Sequence, residues 1–205
     1  MSEKGEKHSD AVLAILSKGF PRGFWKNAFA GLDLTPGENI LDLGAGRGTR
    51  TAVMASRVGP QGKVTGIEIS PAFRGDFLKL AGRFPNMSLK MARIDGQFSF
   101  PEPFDRVTLF FSLHRFEQHQ RILILQNAYE CLRPNGRLSI LDWNEMRFSA
   151  APRILRSVLK RFECPQAIDF MEREWKEVLG AYRFRDFREI FFFNGRVRLL
   201  QAART

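Results

Sequence analysis

Apolar residues along this chain fall into two kinds of pattern: short apolar-rich runs bounded by glycine, proline or polar residues, and stretches where they recur every three or four positions. Runs of the first kind mark strands buried on both faces, and the second spacing marks amphipathic helices. Residues 40–43, 63–69, 87–94, 104–111 and 137–143 read as five such strands. Between them, 49–58, 71–83 and 117–133 read as helices; Gly59-Pro60 closes the first and Pro134-Asn135-Gly136 stops the last. This alternation predicts an α/β fold with a doubly wound parallel sheet and helices on both faces.

The flanks add three features. Phe20, Phe24, Trp25, Phe29 and Leu32 recur at mostly helical spacings over 20–32, an amphipathic helix laid on the sheet. Ahead of it, a flexible polar tail over 1–8 precedes a short helix, capped by Ser9 or Asp10 and running to Leu16, placed over a pocket. After the fifth strand, 150–180 carries helical patterning in two pieces broken near Cys164-Pro165, an insertion expected to cap the substrate side. The chain then closes with 187–193 and 196–203 around Asn194-Gly195, a dipeptide suited to a two-residue type I′ hairpin. The expected sheet has seven strands, five parallel and two in a C-terminal antiparallel hairpin, in one domain over 9–205.

Composition narrows the class. With 205 residues, 44% hydrophobic and 26% charged, the chain reads as one ordinary globular domain. No apolar run reaches membrane-spanning length and 11–16 lacks the features of a secretory leader, so a cytoplasmic protein is expected, able to sit peripherally on a membrane. Cys131 and Cys164 lack C-x-x-C spacing and read as free thiols; three histidines without a matching carboxylate make no metal site. The net charge of +10 favours anionic partners, nucleic acid or a membrane surface, but the arginines are spread along the chain rather than blocked.

The candidate chemistry begins at Ile40-Leu41-Asp42-Leu43-Gly44-Ala45-Gly46-Arg47-Gly48-Thr49, an apolar strand running into closely spaced glycines. Such a turn cradles a nucleotide-type cofactor where strand becomes helix. A Walker loop would need Gly-Lys-Ser/Thr, and a dinucleotide fingerprint would need glycine where Thr49 stands. Glu68, twenty residues beyond Gly48, is placed to accept from the ribose hydroxyls, and Ile69 to pack on the adenine. One reading of Asp42 has it bonding the glycine loop from the strand end. Arg47 is expected to face solvent.

The G-x-G-x-G loop after I-L-D-L resembles that of class I S-adenosylmethionine-dependent methyltransferases, a Rossmann-like family that also ends its sheet in an antiparallel hairpin. The resemblance runs from about Phe24 to the end of the chain. It implies S-adenosylmethionine as cofactor, held by Gly44, Ala45, Gly46, Gly48, Glu68, Ile69, Asp95, Gly96 and Phe111, with the Asp95 carboxylate on the adenine amino group. The second reading of Asp42 has it balancing the ammonium of that cofactor. Ser112-Leu113-His114-Arg115-Phe116, Leu132-Arg133-Pro134-Asn135-Gly136 and Leu141-Asp142-Trp143 resemble the L-H-H-F, L-K-P-G-G and L-D-F signatures of the ubiquinone/menaquinone C-methyltransferase-like group. After the fourth strand there is no Asn/Asp-Pro-Pro-Tyr/Phe of base or amide N-methylating enzymes and no Pro-Cys of cytosine C5 enzymes.

Methyl transfer needs alignment behind the S–CH3 bond, and a base only for a weak nucleophile. His114, after the fourth strand, is the candidate base; the other reading has it holding its loop by hydrogen bonds. Phe20, Phe24, Trp25, Trp143, Phe148, Phe192 and Phe193 could line an apolar pocket, which with a basic surface suits a small aromatic or lipid-like acceptor drawn from a membrane face. The expected function is methyl transfer to carbon or oxygen of such an acceptor. The alternatives are an RNA- or protein-directed methyltransferase and a non-catalytic cofactor-binding module. Thr49 and the antiparallel ending disfavour a nicotinamide dehydrogenase.

Overall fold

In this computed structural model, residues 23–150, 161 and 163–205 are described. The expected tail, the helix capped by Ser9 or Asp10, Phe20 and most of the first piece of the 150–180 segment lie outside the described residues. In chain order the elements are α1 (Phe24–Gly31), β1 (Asn39–Leu43), α2 (Thr49–Val58), β2 (Lys63–Glu68), α3 (Pro71–Ala81), β3 (Met87–Met91), β4 (Phe104–Phe110), α4 (Gln118–Cys131), β5 (Leu132–Trp143), α5 (Pro165–Met171), α6 (Trp175–Ala181), β6 (Phe184–Phe192) and β7 (Val197–Arg204). Short 3₁₀ turns occupy Leu113–Arg115 and Phe148–Ala150.

The strands form one sheet in the order β3-β2-β1-β4-β5-β7-β6, the first five parallel and β7 antiparallel to both its neighbours. Consecutive residues of β1, Ile40 to Leu43, are all buried, as are the last five of β4. A strand buried at successive positions is covered on both faces, so the apolar runs in the sequence report the layers directly. α2 buries Thr51, Ala52, Met54, Ala55 and Val58, the stripe its period predicts. α4 is different, because fully buried Arg121 shares its inner stripe with Ile124, Leu125, Ala128 and Cys131. The sheet order reverses between β1 and β4, which puts a crevice at the carboxyl ends of these strands.

Several boundaries differ from the sequence reading. The helix expected to stop at Pro134-Asn135-Gly136 ends at Cys131, and β5 starts at Leu132, which pairs with Phe104. Those three residues form an irregularity inside the strand, with Asn135 at φ 62°. Burial of Leu132 in the sheet outweighs the helical spacing there. β3 stops at Met91 and only the Ala92 N–H, donating to the Glu68 carbonyl, continues beside β2. β6 begins three residues early, because Phe184 is fully buried with its ring 5.4 Å from that of Tyr129. At the hairpin, Arg196 N–H donates to the Phe193 carbonyl across Asn194 and Gly195, both at positive φ, as a type I′ turn requires.

Candidate cofactor and acceptor site

β1 delivers the chain from buried Leu43 into Gly44-Ala45-Gly46-Arg47-Gly48 before α2 begins. Gly44, Gly46 and Gly48 have φ of 77°, 57° and 80°, the left-handed region that disfavours any side chain. A Cβ on Gly48 would stand 2.7 Å from Phe77 Cδ2 and 2.8 Å from Met87 Cε, so close approach demands glycine there as well. A Cβ on Gly46 would meet nothing nearer than Arg50 Nη2 at 3.9 Å. The loop is packed underneath at Gly48 and open at Gly46. Gly44 is flanked on two sides, since its Cβ would lie 3.1 Å from Ser112 Cβ and 4.0 Å from Ile94 Cδ1. The segments following β3 and β4 therefore converge on this glycine.

Glu68 closes the loop. Its Oε2 accepts the Gly46 N–H at 2.9 Å, while Oε1 accepts those of Ile69 and Ser70 at 2.9 and 2.8 Å. A carboxylate has about four lone-pair sites, so these three bonds leave roughly one, on Oε2, for a ligand hydroxyl. Ile69 beside it is 50% exposed, a half-covered apolar side chain following the end of β2. Ala45 is buried, and its N–H and that of Gly44 both donate to the Ile67 carbonyl. Arg47 lies exposed on its ion pair with Asp76 and over the Phe73 ring, as expected for a residue turned to solvent.

Asp95 is held from α4. Its Oδ2 accepts from Arg93 Nη2 at 2.6 Å and Gln120 Nε2 at 2.7 Å. Partial burial would raise its pKa, but the Arg93 bond and charge, with Gln120, hold the carboxyl below its ordinary range. Asn127 Nδ2, about two turns beyond Gln120 along α4, donates to the carbonyls of Ile94 and Gly96 at 3.1 and 2.7 Å. Gln120 also accepts the Glu117 N–H in a capping box. The Glu117-x-x-Gln120 spacing was a visible signal for this arrangement; nothing in the sequence pointed to Asn127.

Asp42 lies beneath the loop at 1% exposure. Its Oδ2 accepts from Thr51 Oγ1 at 2.6 Å and its Oδ1 from Thr108 Oγ1 at 3.0 Å. Burial raises its pKa against the opposing hydroxyl bonds and the Arg50 charge. Its carboxylate joins β1 to α2 and β4 through these two hydroxyls rather than bonding the glycine loop itself. Phe111, directly after β4, has φ 48°, an outlier for an aromatic residue, and its N–H donates to the Leu141 carbonyl at 2.8 Å. Strain of this kind collects at functional sites. The Phe111 ring meets Trp25 edge-on at 6.1 Å, and Phe24 in turn contacts Phe192 and Phe193, so much of the expected aromatic set is joined in one packed row.

His114 lies in the turn after β4, 3% exposed. Its Nδ1 is 2.6 Å from Asp142 Oδ1 at the end of β5, and the Asp142 carboxylate also accepts the backbone N–H groups of His114 and Trp143. Its Nε2 is 3.5 Å from Glu163 Oε2. Burial would lower the imidazole pKa, but the Asp142 and Glu163 carboxylates carry it above its ordinary value. Below this cluster, Arg121 donates to the carbonyls of Leu113 and His114 at 3.3 Å each, to the Gln166 carbonyl at 2.5 Å and to Asp169 Oδ2 at 2.5 Å. Its guanidinium stands 5.3 Å from the centre of the Phe170 ring. α5 is thereby fastened over the ends of β4 and β5. The sequence reading missed Arg121 and Glu163, since a basic residue on a helix and an acid before a Cys-Pro break carry no distinctive spacing.

A strand-glycine loop-helix unit, an acid closing β2 and a second acid after β3, on a parallel sheet with an antiparallel end, define the Rossmann-like class I methyltransferase architecture. Residues 40–136 match the family described as a methyltransferase domain. Among curated relatives, demethylmenaquinone methyltransferase of Tropheryma whipplei (strain Twist) is 33% identical over 159 residues, 72% of this chain and 64% of the relative. The enzyme of that name from Lactobacillus johnsonii is 30% identical over 145 residues, 67% of this chain and 57% of the relative. The chain thus spans under two thirds of the length of these relatives. A solved S-adenosylmethionine-dependent methyltransferase from Aquifex aeolicus shares the fold with a TM-score of 0.67 at 16% identity, covering 94% of this chain and 98% of that one. Among the described residues no helix is long and apolar enough to cross a membrane.

Proposed function

We propose that this chain is an S-adenosylmethionine-dependent methyltransferase acting on carbon or oxygen of a small hydrophobic aromatic acceptor, of the quinone type named in its relatives. The observation that carries the reading is the glycine loop: open at Gly46, closed by Glu68, and flanked by the segments after β3 and β4. In this reading the first N–H groups of α2 face the cofactor carboxylate, favoured by the helix dipole. The remaining lone pair of Glu68 takes a ribose hydroxyl, Ile69 covers one adenine face, and Asp95 with Gly96 meets the adenine edge. Phe111 sits beside the methyl-bearing sulfur, and Asp42 acts from below through Thr51. When bound, the cofactor supplies an electrophilic methyl group; the protein's part is to orient it and keep the pocket dry.

Residues 163–181, which carry α5 and α6, are assigned to the acceptor side. An apolar acceptor drawn from an anionic membrane surface is supported by the net charge of +10 and by the aromatic row running from Phe111 through Trp25 and Phe24 to the hairpin. The test is calorimetric titration with S-adenosylhomocysteine, repeated on Glu68→Ala, with NADH as control ligand. Micromolar binding lost in the variant, with none for NADH, supports the assignment; a folded protein that binds no S-adenosylhomocysteine overturns it.

A further inference from the structure

Beyond the cofactor cradle, the ends of β4 and β5 hold a polar cluster that cofactor binding does not use. His114 lies between two carboxylates, Asp142 at 2.6 Å from Nδ1 and Glu163 at 3.5 Å from Nε2. All three side chains are at least nine-tenths buried, at 4%, 1% and 9% exposure. Trp143, next to Asp142, is 8% exposed, and its indole lies near enough to Glu163 to favour the ionised carboxylate. Yet Trp143 Nε1–H completes no hydrogen bond. A buried donor without an acceptor is rare in folded proteins and points to a ligand atom.

We propose, on the methyl-transfer reading above, that this cluster is the subsite for a hydroxyl of the acceptor. Trp143 Nε1–H holds the oxygen, Glu163 is the base that takes its proton, and His114 is a positioning cation rather than the base. The acceptor class is then a hydroxylated aromatic ring or enol. Two observations separate Glu163 from His114. Both imidazole nitrogens face carboxylates, at 2.6 and 3.5 Å, an arrangement that raises the imidazole pKa and favours the imidazolium form, in which neither nitrogen has a lone pair to offer. The Glu163 contact, at 3.5 Å, is too long for a strong hydrogen bond and leaves that carboxylate unsaturated. Burial also raises the Glu163 pKa, against the lowering effect of His114 and Arg115 and with a further raising effect from Asp142. A base poised in this way is better matched to a phenolic proton.

In the step itself the acceptor O–H breaks and its proton passes to Glu163. The electron pair left behind forms the new bond to the methyl carbon, at oxygen or at the ring carbon beside it. The S–CH3 bond breaks and sulfur keeps the pair, leaving S-adenosylhomocysteine. For methylation at carbon, the ring hydrogen then leaves to water and Glu163 returns its proton to the oxygen.

The experiment measures methyl transfer from S-adenosylmethionine to two probes, reduced 1,4-dihydroxynaphthalene and 4-nitrocatechol, the second already largely ionised at neutral pH. Wild type, Glu163→Gln and Trp143→Phe are compared, and S-adenosylhomocysteine affinity is measured on each to show that the cradle is intact. Loss of the base is expected to lower kcat/KM on dihydroxynaphthalene by about 100-fold or more, and to cost the nitrocatechol reaction only about five-fold or less. Trp143→Phe is expected to slow both. Equal loss on both probes in Glu163→Gln, or no loss, overturns the assignment. Wild-type protein that binds S-adenosylhomocysteine but methylates neither probe overturns the hydroxyl subsite and leaves the cofactor reading standing; absence of S-adenosylhomocysteine binding removes both.

Discussion

Replacing Gly48 and Gly46 separately by alanine should give opposite phenotypes from one chemical change. Both residues are in the left-handed region, at φ 80° and 57°, where a Cβ costs roughly 1–2 kcal/mol. At Gly48 the new methyl would also stand 2.7 Å from Phe77 Cδ2 and 2.8 Å from Met87 Cε. Phe77 is fully buried, so its ring has little room to retreat, and overpacking adds about 1–3 kcal/mol. At Gly46 the nearest atom is 3.9 Å away and no packing cost arises. Gly48→Ala should therefore lose about 2–5 kcal/mol and Gly46→Ala about 1–2. With a urea m-value of about 2 kcal/mol/M, the extra packing cost of about 1–3 kcal/mol should lower the midpoint of Gly48→Ala roughly 0.5–1.5 M further than that of Gly46→Ala. Calorimetry should reverse the ranking: the Gly46 methyl stands in the open mouth of the loop and should weaken S-adenosylhomocysteine in protein that remains folded. Equal urea midpoints for the two variants would refute the packing argument, and unchanged affinity in Gly46→Ala would refute the claim that the cofactor passes this glycine.

Three further outcomes are expected. His114 has a folded pKa above its unfolded value near 6.5, so it contributes stability that is fully present below pH 6.5 and lost as pH rises through the folded pKa; urea midpoints taken from pH 6 to 9 should fall for wild type relative to His114→Gln, and parallel curves would contradict the shift. Arg121→Met should cost about 2–4 kcal/mol, because the carbonyls of Leu113, His114 and Gln166 lose their shared donor, and hydrogen exchange at the Ala167 and Phe170 amides should rise ahead of the sheet. Burial pushes the Cys131 thiol up to about 11, so roughly one in a thousand is thiolate at pH 8, and iodoacetamide should label it only on unfolding.

The sequence exposed the parallel half of the sheet because both faces of β1, β4 and β5 are covered, which forces apolar-rich runs broken only by buried polar residues such as Asp42, Arg106 and Ser139. The glycine loop was equally legible, since positive φ and close approach leave no other residue type at Gly44 and Gly48. Boundaries were hidden where long-range packing overrides local spacing: Leu132 leaves a helical pattern to pair with Phe104, and Phe184 starts β6 early by entering the core. Asp42 and His114 were readable as candidates but not as to role, because role depended on Thr51 and Thr108 for one and on Asp142 and Glu163 for the other. Partners 9 to 66 positions away leave no periodic trace.

Gln120 and Arg121 are neighbours in the first turn of α4, and they leave the helix in different directions: Gln120 grips Asp95 on the side assigned to adenine, Arg121 grips Asp169 and Gln166 on the side assigned to the acceptor. One helical turn is thus a common anchor for two binding regions contributed by distant parts of the chain. On the proposed assignment a displacement of that turn moves both regions together, so a change of acceptor specificity made through α4 also tests the hold on the cofactor.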